Sequence, residues 1–237
     1  MAVDDEYDVV DAAFAIECRS LPVDHAFALS AAIQAALPWF AEEPQAGLHT
    51  VHGAASGAGW QRPEGEDALL QLSHRTRLVL RLPESRLRDA AALSGQTLDV
   101  AGFPMHVGRL QPRPLLRIAS LFSRSVLLEG ADREEDFLAA AARELGALGI
   151  ATGPLLCGRD VALATPQRTY RARSLMVTVG TPAQSLALQR QGLGDSQRRI
   201  AGACRQGQQK QNHERTAKNR CHRVSVLAQD MRPVPGP

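Results

Sequence analysis

Apolar and polar residues alternate along the first third of the chain with the periods of strands and helices. Residues 8–18 are rich in apolar side chains and predict a strand. Residues 25–37 carry apolar side chains at the three- and four-residue spacing of a helix. Residues 75–82 alternate arginine or another polar residue with an aliphatic one, which predicts a strand with one basic, solvated face.

The pattern continues with a second helix and a pair of short strands. Pro83 begins this helix, which extends to about residue 93, because proline fits the first helical turn, where its missing N–H is not needed. Residues 97–110 then predict two strands on either side of Gly102.

The same order of elements recurs in the second half of the chain. The pattern predicts a strand at 117–129, an amphipathic helix at 132–148, strands at about 159–165 and 168–179, and a helix at 182–191 that ends before Gly192 and Gly194. Strand, helix, two strands, helix, strand is the ferredoxin-like order. The sequence therefore predicts an α+β protein of two tandem ferredoxin-like βαββαβ units, with domains at 1–114 and 115–204.

The remaining residues, 205–237, differ in composition from the rest of the chain. All lysines and asparagines lie there: Lys210, Lys218, Asn212 and Asn219. The segment is rich in glutamine and poor in periodic apolar residues, so it predicts a disordered tail. It is either a basic arm for RNA or an accidental extension from a shifted reading frame.

Composition and charge narrow the class of protein. With 237 residues and 44% hydrophobic ones, the chain can bury a core, and it lacks the apolar run of a membrane span and the layout of a signal peptide. A cytoplasmic protein is expected. The four cysteines are far apart and suggest neither a metal site nor a disulfide framework. The net charge is −3 over residues 1–200 and +5 over 201–237, but clustered arginines allow a local basic face.

Five segments in one order resemble a known family. They are SLPVDHAFAL (20–29), PWFAEEPQAGLH (38–49), LSHRTRLVLRLP (72–83), LSGQTLDVAGFPMHVG (93–108) and QSLALQRQGLG (184–194). Together they resemble the CRISPR-associated repeat-processing endoribonucleases, the RAMP-type family that cleaves precursor crRNA, in its myxan subtype. The resemblance runs from about residue 8 to residue 202. After residue 204, a glutamine-rich segment stands where the family has a closing apolar strand.

The resemblance implies an activity. Family members bind the hairpin of a CRISPR repeat RNA and cleave at its 3′ base, which leaves a 2′,3′-cyclic phosphate and a 5′-OH. Neither a metal nor a cofactor is required, because the nucleophile is the neighbouring ribose 2′-OH and is already in place. Other subunits of a CRISPR effector complex are possible partners.

Histidines are the candidates for proton transfer, because their ordinary pKa is close to neutral. His49 lies where family members carry a catalytic histidine, and it is the first candidate. His25, at the start of the first helix, is the second, as a neutral base or a phosphate contact. His52 is the third. The alternative is that two of these are loop or capping histidines without chemistry.

Arginines and glycines are the candidates for RNA binding. Arg75, Arg77 and Arg81 share one strand face and predict a row of guanidiniums for successive phosphates, unless they pair with carboxylates. The glycine-rich loop contains Gly192, Gly194, Arg198 and Arg199, whose side chains and amides could bind the RNA backbone.

Two alternative functions remain open from the sequence. One is a non-catalytic RNA-binding subunit of an effector complex, with the same fold and idle histidines. The other is a structural ferredoxin-like dimer that binds no nucleic acid, with the arginines at 75–81 paired to carboxylates. A metal-dependent nuclease is disfavoured, since the i, i+3 spacing of His49 and His52 is only a weak metal signal.

Overall fold

The computed structural model describes residues 9–53, 63–65, 67–128, 130–166 and 169–194. The tail at 205–237 lies outside these residues, so its predicted disorder stays a prediction. In chain order the elements are β1 (Val9–Glu17), β2 (Ser20–Pro22), α1 (Ala26–Ala36), β3 (Gly47–Leu48), β4 (Leu69–Gln71), β5 (Arg77–Pro83), α2 (Leu87–Ala90), β6 (Thr97–Val100), β7 (Phe103–Pro114), β8 (Ser120–Val126), α3 (Glu134–Ala147), β9 (Thr152–Ala164), β10 (Thr169–Val179) and α4 (Pro182–Gln191).

The first half is built on a five-stranded antiparallel sheet in the order β3-β5-β1-β7-β6. Alternation along the central strands β1 and β5 sends Phe14 and Leu80 to one face, where they join Leu29 and Ile33 of α1 in the core. The opposite face of the same strands carries the polar pair Asp11 and Arg81 beside the apolar pair Ala13 and Val79. Burial of the helix-facing set fixes the register, because a shift by one residue would expose it.

The second half has a three-stranded sheet in the order β8-β10-β9, packed against α3 and α4. This is the arrangement of the first three strands of a ferredoxin-like unit. The fourth strand would follow α4, after residue 194, and so lies outside the described residues. The α+β class and the two ferredoxin-like units predicted from the sequence are confirmed. The connection between the two sheets lies at 115–119; the domain boundaries remain a prediction.

Two predicted elements differ from the observed ones. Pro83 is the last residue of β5, and the helix expected at 83–93 is instead a four-residue α2 between two short 3-10 turns. Strand β9 begins at Thr152, seven residues before the predicted start at 159. Its first part contains Gly153 and Pro154, which are uncommon in strands but are tolerated here because β9 is an edge strand.

Contacts of two kinds join the halves. Ala26 and Phe27 of α1 pack against Leu163 and Ala172 of the second sheet. Arg81 of β5 is hydrogen-bonded to the main chain of α4. Among the described residues, no helix has the length and apolar character needed to cross a membrane.

Candidate functional site

His49 directly follows the short edge strand β3 and lies against the face of the first sheet that is turned away from α1. Its main-chain N–H donates to the carbonyl oxygen of Val79 at 3.1 Å, which extends the pairing of β3 with β5. Its side chain is 14% exposed, and its Nε2 lies 3.5 Å from Oδ1 of Asp11. This Nε2 is buried and, within the described part of the chain, makes no well-aligned hydrogen bond. The contact is therefore a loose ion pair when the imidazole is charged.

Asp11 is held on its other side by Arg81. These residues are directly opposite each other in the β1–β5 ladder. The Arg81 guanidinium donates from Nε to Oδ1 at 2.8 Å and from Nη2 to Oδ2 at 3.0 Å. This bidentate geometry is the strongest that arginine and a carboxylate form. Arg81 also donates from Nη1 to the main-chain oxygen of Gln189 in α4 at 3.0 Å.

Charge and burial shift the pKa of both members of the Asp11–His49 pair. Burial alone would raise the pKa of the Asp11 carboxyl, but the contacts with His49 and Arg81 outweigh it and lower that pKa below its usual range. Burial lowers the pKa of His49; Asp11 opposes this change, and the charge of Arg81 adds to it. With the net pKa lowered, His49 is neutral at neutral pH and can accept a proton.

His25 is buried immediately before α1, with both ring nitrogens engaged by the main chain. Its Nδ1 lies 2.9 Å from the oxygen of Pro22, and its Nε2 accepts the N–H of Val51 at 3.0 Å. Because Nε2 accepts, Nδ1 carries the proton and donates to Pro22. The ring therefore ties the loop after His49 to the start of α1. Because both ring nitrogens are engaged by the main chain, neither is presented to a ligand as the base or phosphate contact that the sequence suggested.

His52, the third candidate, borders a cavity of about 1160 Å³ between the two halves. Its Nε2 lies 3.5 Å from Oγ1 of Thr50, which also borders the cavity. The charged side chains described in the lining are one arginine, Arg124, and three carboxylates, Asp24, Glu64 and Asp160. That balance does not favour a phosphate, so the cavity lining by itself is a poor site for the RNA backbone.

The prediction that Arg75, Arg77 and Arg81 form a row for successive phosphates is wrong for Arg81. Arg81 is 1% exposed and paired with Asp11, so it cannot contact a phosphate. The alternation along β5 correctly places Arg81 on the same face as Arg77. The second half of the chain, however, covers the end of this face at which Arg81 lies. Arg77 is half-buried, and its Nη1 donates to the oxygens of His74 and Thr76 at 2.8 Å each. Arg75 lies exposed in the turn that these bonds hold.

The described part of the glycine-rich loop also uses its main-chain amides internally. Gly192 ends α4 with φ 71° and donates its N–H to the oxygen of Leu188 at 2.8 Å. Gly194 donates its N–H to Oε2 of Glu144 at 2.9 Å. The idea that these two amides bind RNA is therefore not supported. Arg198 and Arg199 lie outside the described residues, and their role stays a prediction.

His49 and His52 do not join a larger set of metal-ligand side chains. In the described ranges, no group of three or more histidine, cysteine, aspartate or glutamate residues is placed to hold a metal ion.

Asp11 is the residue of this site that the sequence analysis missed. A signal for it exists: Asp11 is the single acidic residue within the otherwise apolar start of β1, VVDAAFAI. A carboxylate inside a strand that is buried on both faces requires a partner, because an unpaired buried charge is costly. The sequence does not say which of the chain's arginines or histidines that partner is.

Comparisons with known proteins agree with this fold. The sequence model of the Cas6 family, described as Cas6 Crispr, matches residues 10–203. Over 185 residues, 78% of this chain and 76% of the relative, the sequence is 29% identical to the CRISPR-associated endonuclease Cas6 of Myxococcus xanthus (strain DK1622). A solved structure of a CRISPR associated protein Cas6 has the same fold, with a TM-score of 0.53 and 10% identity over 80% of this chain and 95% of that one. Because the family model spans both ferredoxin-like units, the chain belongs to the Cas6 family.

Proposed function

We propose that this chain is a metal-independent endoribonuclease that binds the hairpin of a CRISPR repeat RNA and cleaves precursor crRNA. The observation that carries the proposal is His49, a histidine with a lowered pKa beside a carboxylate in a Cas6-family chain. Perturbed titratable groups of this kind concentrate at functional sites. The curated relative that this chain resembles is named an endonuclease.

The reaction transfers one proton at each end of the phosphate. The ribose 2′-OH loses its proton and attacks the adjacent phosphorus, the bond from phosphorus to the 5′-oxygen breaks, and that oxygen gains a proton. The products are a 2′,3′-cyclic phosphate and a 5′-OH. A neutral His49 serves as the base for the first transfer, or as the acid for the second when it is protonated. The 2′-OH is held next to the phosphate by the RNA itself, so no metal is needed to bring the nucleophile into place.

Cations that face solvent hold the RNA backbone. Arg75 is exposed at the end of the first sheet, and Arg77 fixes the turn that presents it. Arg198 and Arg199, which the sequence places in the glycine-rich loop, are proposed to add further phosphate contacts. This activity belongs in the cytoplasm, where repeat transcripts are made, and other subunits of an effector complex are its expected partners there.

The test is cleavage of the repeat RNA from the protein's own locus in the presence of EDTA. We expect the wild type to cut once per repeat and to leave a 2′,3′-cyclic phosphate. His49→Ala should lose about a hundred- to ten-thousand-fold in single-turnover rate, the usual contribution of a general acid or base. A substrate with one 2′-deoxy ribose at the cleavage point should bind and remain intact.

Two controls make the outcome specific. His106→Ala removes an exposed histidine of β7 and should leave the rate unchanged. Tight binding without cutting by the wild type would instead indicate the non-catalytic subunit, and absence of RNA binding would indicate the structural dimer. Cleavage that EDTA abolishes, or cleavage of the 2′-deoxy substrate, would overturn the proposed chemistry.

A further inference from the structure

We propose that Asp11 is a positioning residue for His49: it holds the Nε2 side of the imidazole, so that Nδ1 is the nitrogen that exchanges a proton with the RNA. This inference rests on the proposed function, because it assigns His49 a part in cleavage.

The burial of Nε2 supports this assignment. Nε2 of His49 is buried and lies 3.5 Å from Oδ1 of Asp11, so a substrate cannot reach it without displacing the carboxylate. A neutral imidazole carries one proton, and a neighbouring carboxylate favours the tautomer that places this proton on the facing nitrogen. The other nitrogen then has a free lone pair and can act as the base. A carboxylate that orients a histidine in this way also stabilises the imidazolium once it forms.

The contact between Asp11 and His49 is long for a hydrogen bond. At 3.5 Å it is at the outer limit of a hydrogen bond. Catalytic hydrogen bonds are often long in the free enzyme and tighten when the substrate is bound.

Arg81 keeps the carboxylate in place for this task. Its bidentate contact fixes both oxygens of Asp11 in the plane of the guanidinium. Its third hydrogen bond, to the oxygen of Gln189, anchors the guanidinium to α4 of the other half. The orientation of His49 therefore depends on the docking of the two ferredoxin-like units.

The charges around His49 determine what removal of Asp11 does to its titration. Among the described residues, those that act on it are Asp11 from β1 and Arg81 from β5. Asp11 raises the pKa of His49, and Arg81 lowers it. With Asp11→Asn, the raising charge is lost and the charge of Arg81 is no longer neutralised. Both changes act in the same direction, so the pKa of His49 falls further.

The experiment compares pH–rate profiles of single-turnover cleavage and the NMR titration of His49, identified by its absence in His49→Ala. For Asp11→Asn we expect a rate about 10- to 100-fold lower, as for other carboxylates that orient a functional histidine, with RNA affinity unchanged. The apparent pKa of His49 in the pH–rate profile should fall by about one pH unit or more, and the NMR titration of His49 should shift by the same amount. Glu43→Gln is the matched control, because it removes the carboxylate partner of Arg86 from the same half without touching His49.

A double variant separates positioning from folding. Asp11→Asn leaves Arg81 charged and buried, which lowers stability, whereas Asp11→Asn with Arg81→Met removes both charges and should recover most of it. We expect cleavage by the double variant to stay low. Two results would overturn the role of Asp11 while the proposed function stands. One is a double variant that recovers the wild-type cleavage rate together with its stability. The other is a pH–rate profile of Asp11→Asn that is unshifted from that of the wild type. Full cleavage by His49→Ala would instead overturn the role of His49 in the proposed function, and the inference with it.

Discussion

Arg81 donates a hydrogen bond of 3.0 Å to the main-chain oxygen of Gln189, although 108 positions separate the two residues in the chain. The same guanidinium forms the bidentate pair with Asp11, which is 70 positions away in the other direction. One side chain thus connects the central strand of the first sheet with the last described helix of the second half. A buried arginine that makes three such hydrogen bonds, two to Asp11 and one to Gln189, is a structural element of the interior rather than part of an RNA-binding surface.

Replacement of Arg81 by alanine should therefore destabilise the protein severely. The change leaves the Asp11 carboxylate buried without its cation, which costs about 3 to 5 kcal/mol of the free energy of unfolding. Thermal unfolding followed by circular dichroism measures the effect. Arg133→Ala is the control, because its side chain is 75% exposed and its pair with Glu135 contributes at most about 1 kcal/mol. Equal shifts in the two variants would contradict a structural role for Arg81.

His25→Ala tests whether this histidine has a structural or a chemical role. The change removes the acceptor of the Val51 N–H and leaves that buried donor unsatisfied, which costs about 1 to 3 kcal/mol. We expect faster hydrogen exchange at the Val51 amide, and a smaller loss of cleavage rate than in His49→Ala. A complete loss of cleavage with the amide still protected would show instead that His25 takes part in the chemistry.

Substitution by alanine should lower the stability of the protein at one glycine and raise it at another. Gly194 has φ +100°, and an added Cβ would lie 2.6 Å from the oxygen of Leu127, so Gly194→Ala should lower stability by about 1 to 3 kcal/mol. Gly146 lies in α3 with nothing within 4 Å of an added Cβ, so Gly146→Ala should raise stability by roughly 0.5 to 1 kcal/mol. Denaturant titration of both variants is the measurement. Stabilisation by Gly194→Ala would mean that the loop is not packed against Leu127 as observed.

Arg75→Ala should weaken RNA binding without changing the rate of cleavage at saturating protein. One lost phosphate contact reduces the slope of log affinity against log salt by roughly 0.7 to 0.9. Titrations at several salt concentrations give this slope. Arg143→Ala is the control, since Arg143 is exposed on α3. If the two variants have the same slope, Arg75 does not contact the RNA backbone.

The local pattern of the sequence was enough for most elements. The period of two in β1 and β5, and the helical spacing that places Leu29 and Ile33 on one face of α1, depend only on neighbouring residues, and the structure has these elements where the pattern predicts them. Prediction failed where local preference was weak or contradicted, as in the start of β9 with its proline and glycines. There, the pairing with β10 outweighs the low strand preference of those residues.

The sequence by itself determined the α+β class, the tandem order of the elements and the family, and it made His49 the first candidate for the chemistry. The tertiary structure decided which polar side chains are covered. Alternation placed Arg77 and Arg81 on one face, but Arg81 is buried and bonded to α4, whereas Arg75 lies exposed in the turn before β5. The tertiary structure also brought Asp11 next to His49. The periodicity of a strand predicts the face on which a side chain lies. The partners of Arg81 are 70 and 108 positions away, and they depend on how distant segments pack together. No local pattern encodes that packing, because it requires the closure of long loops.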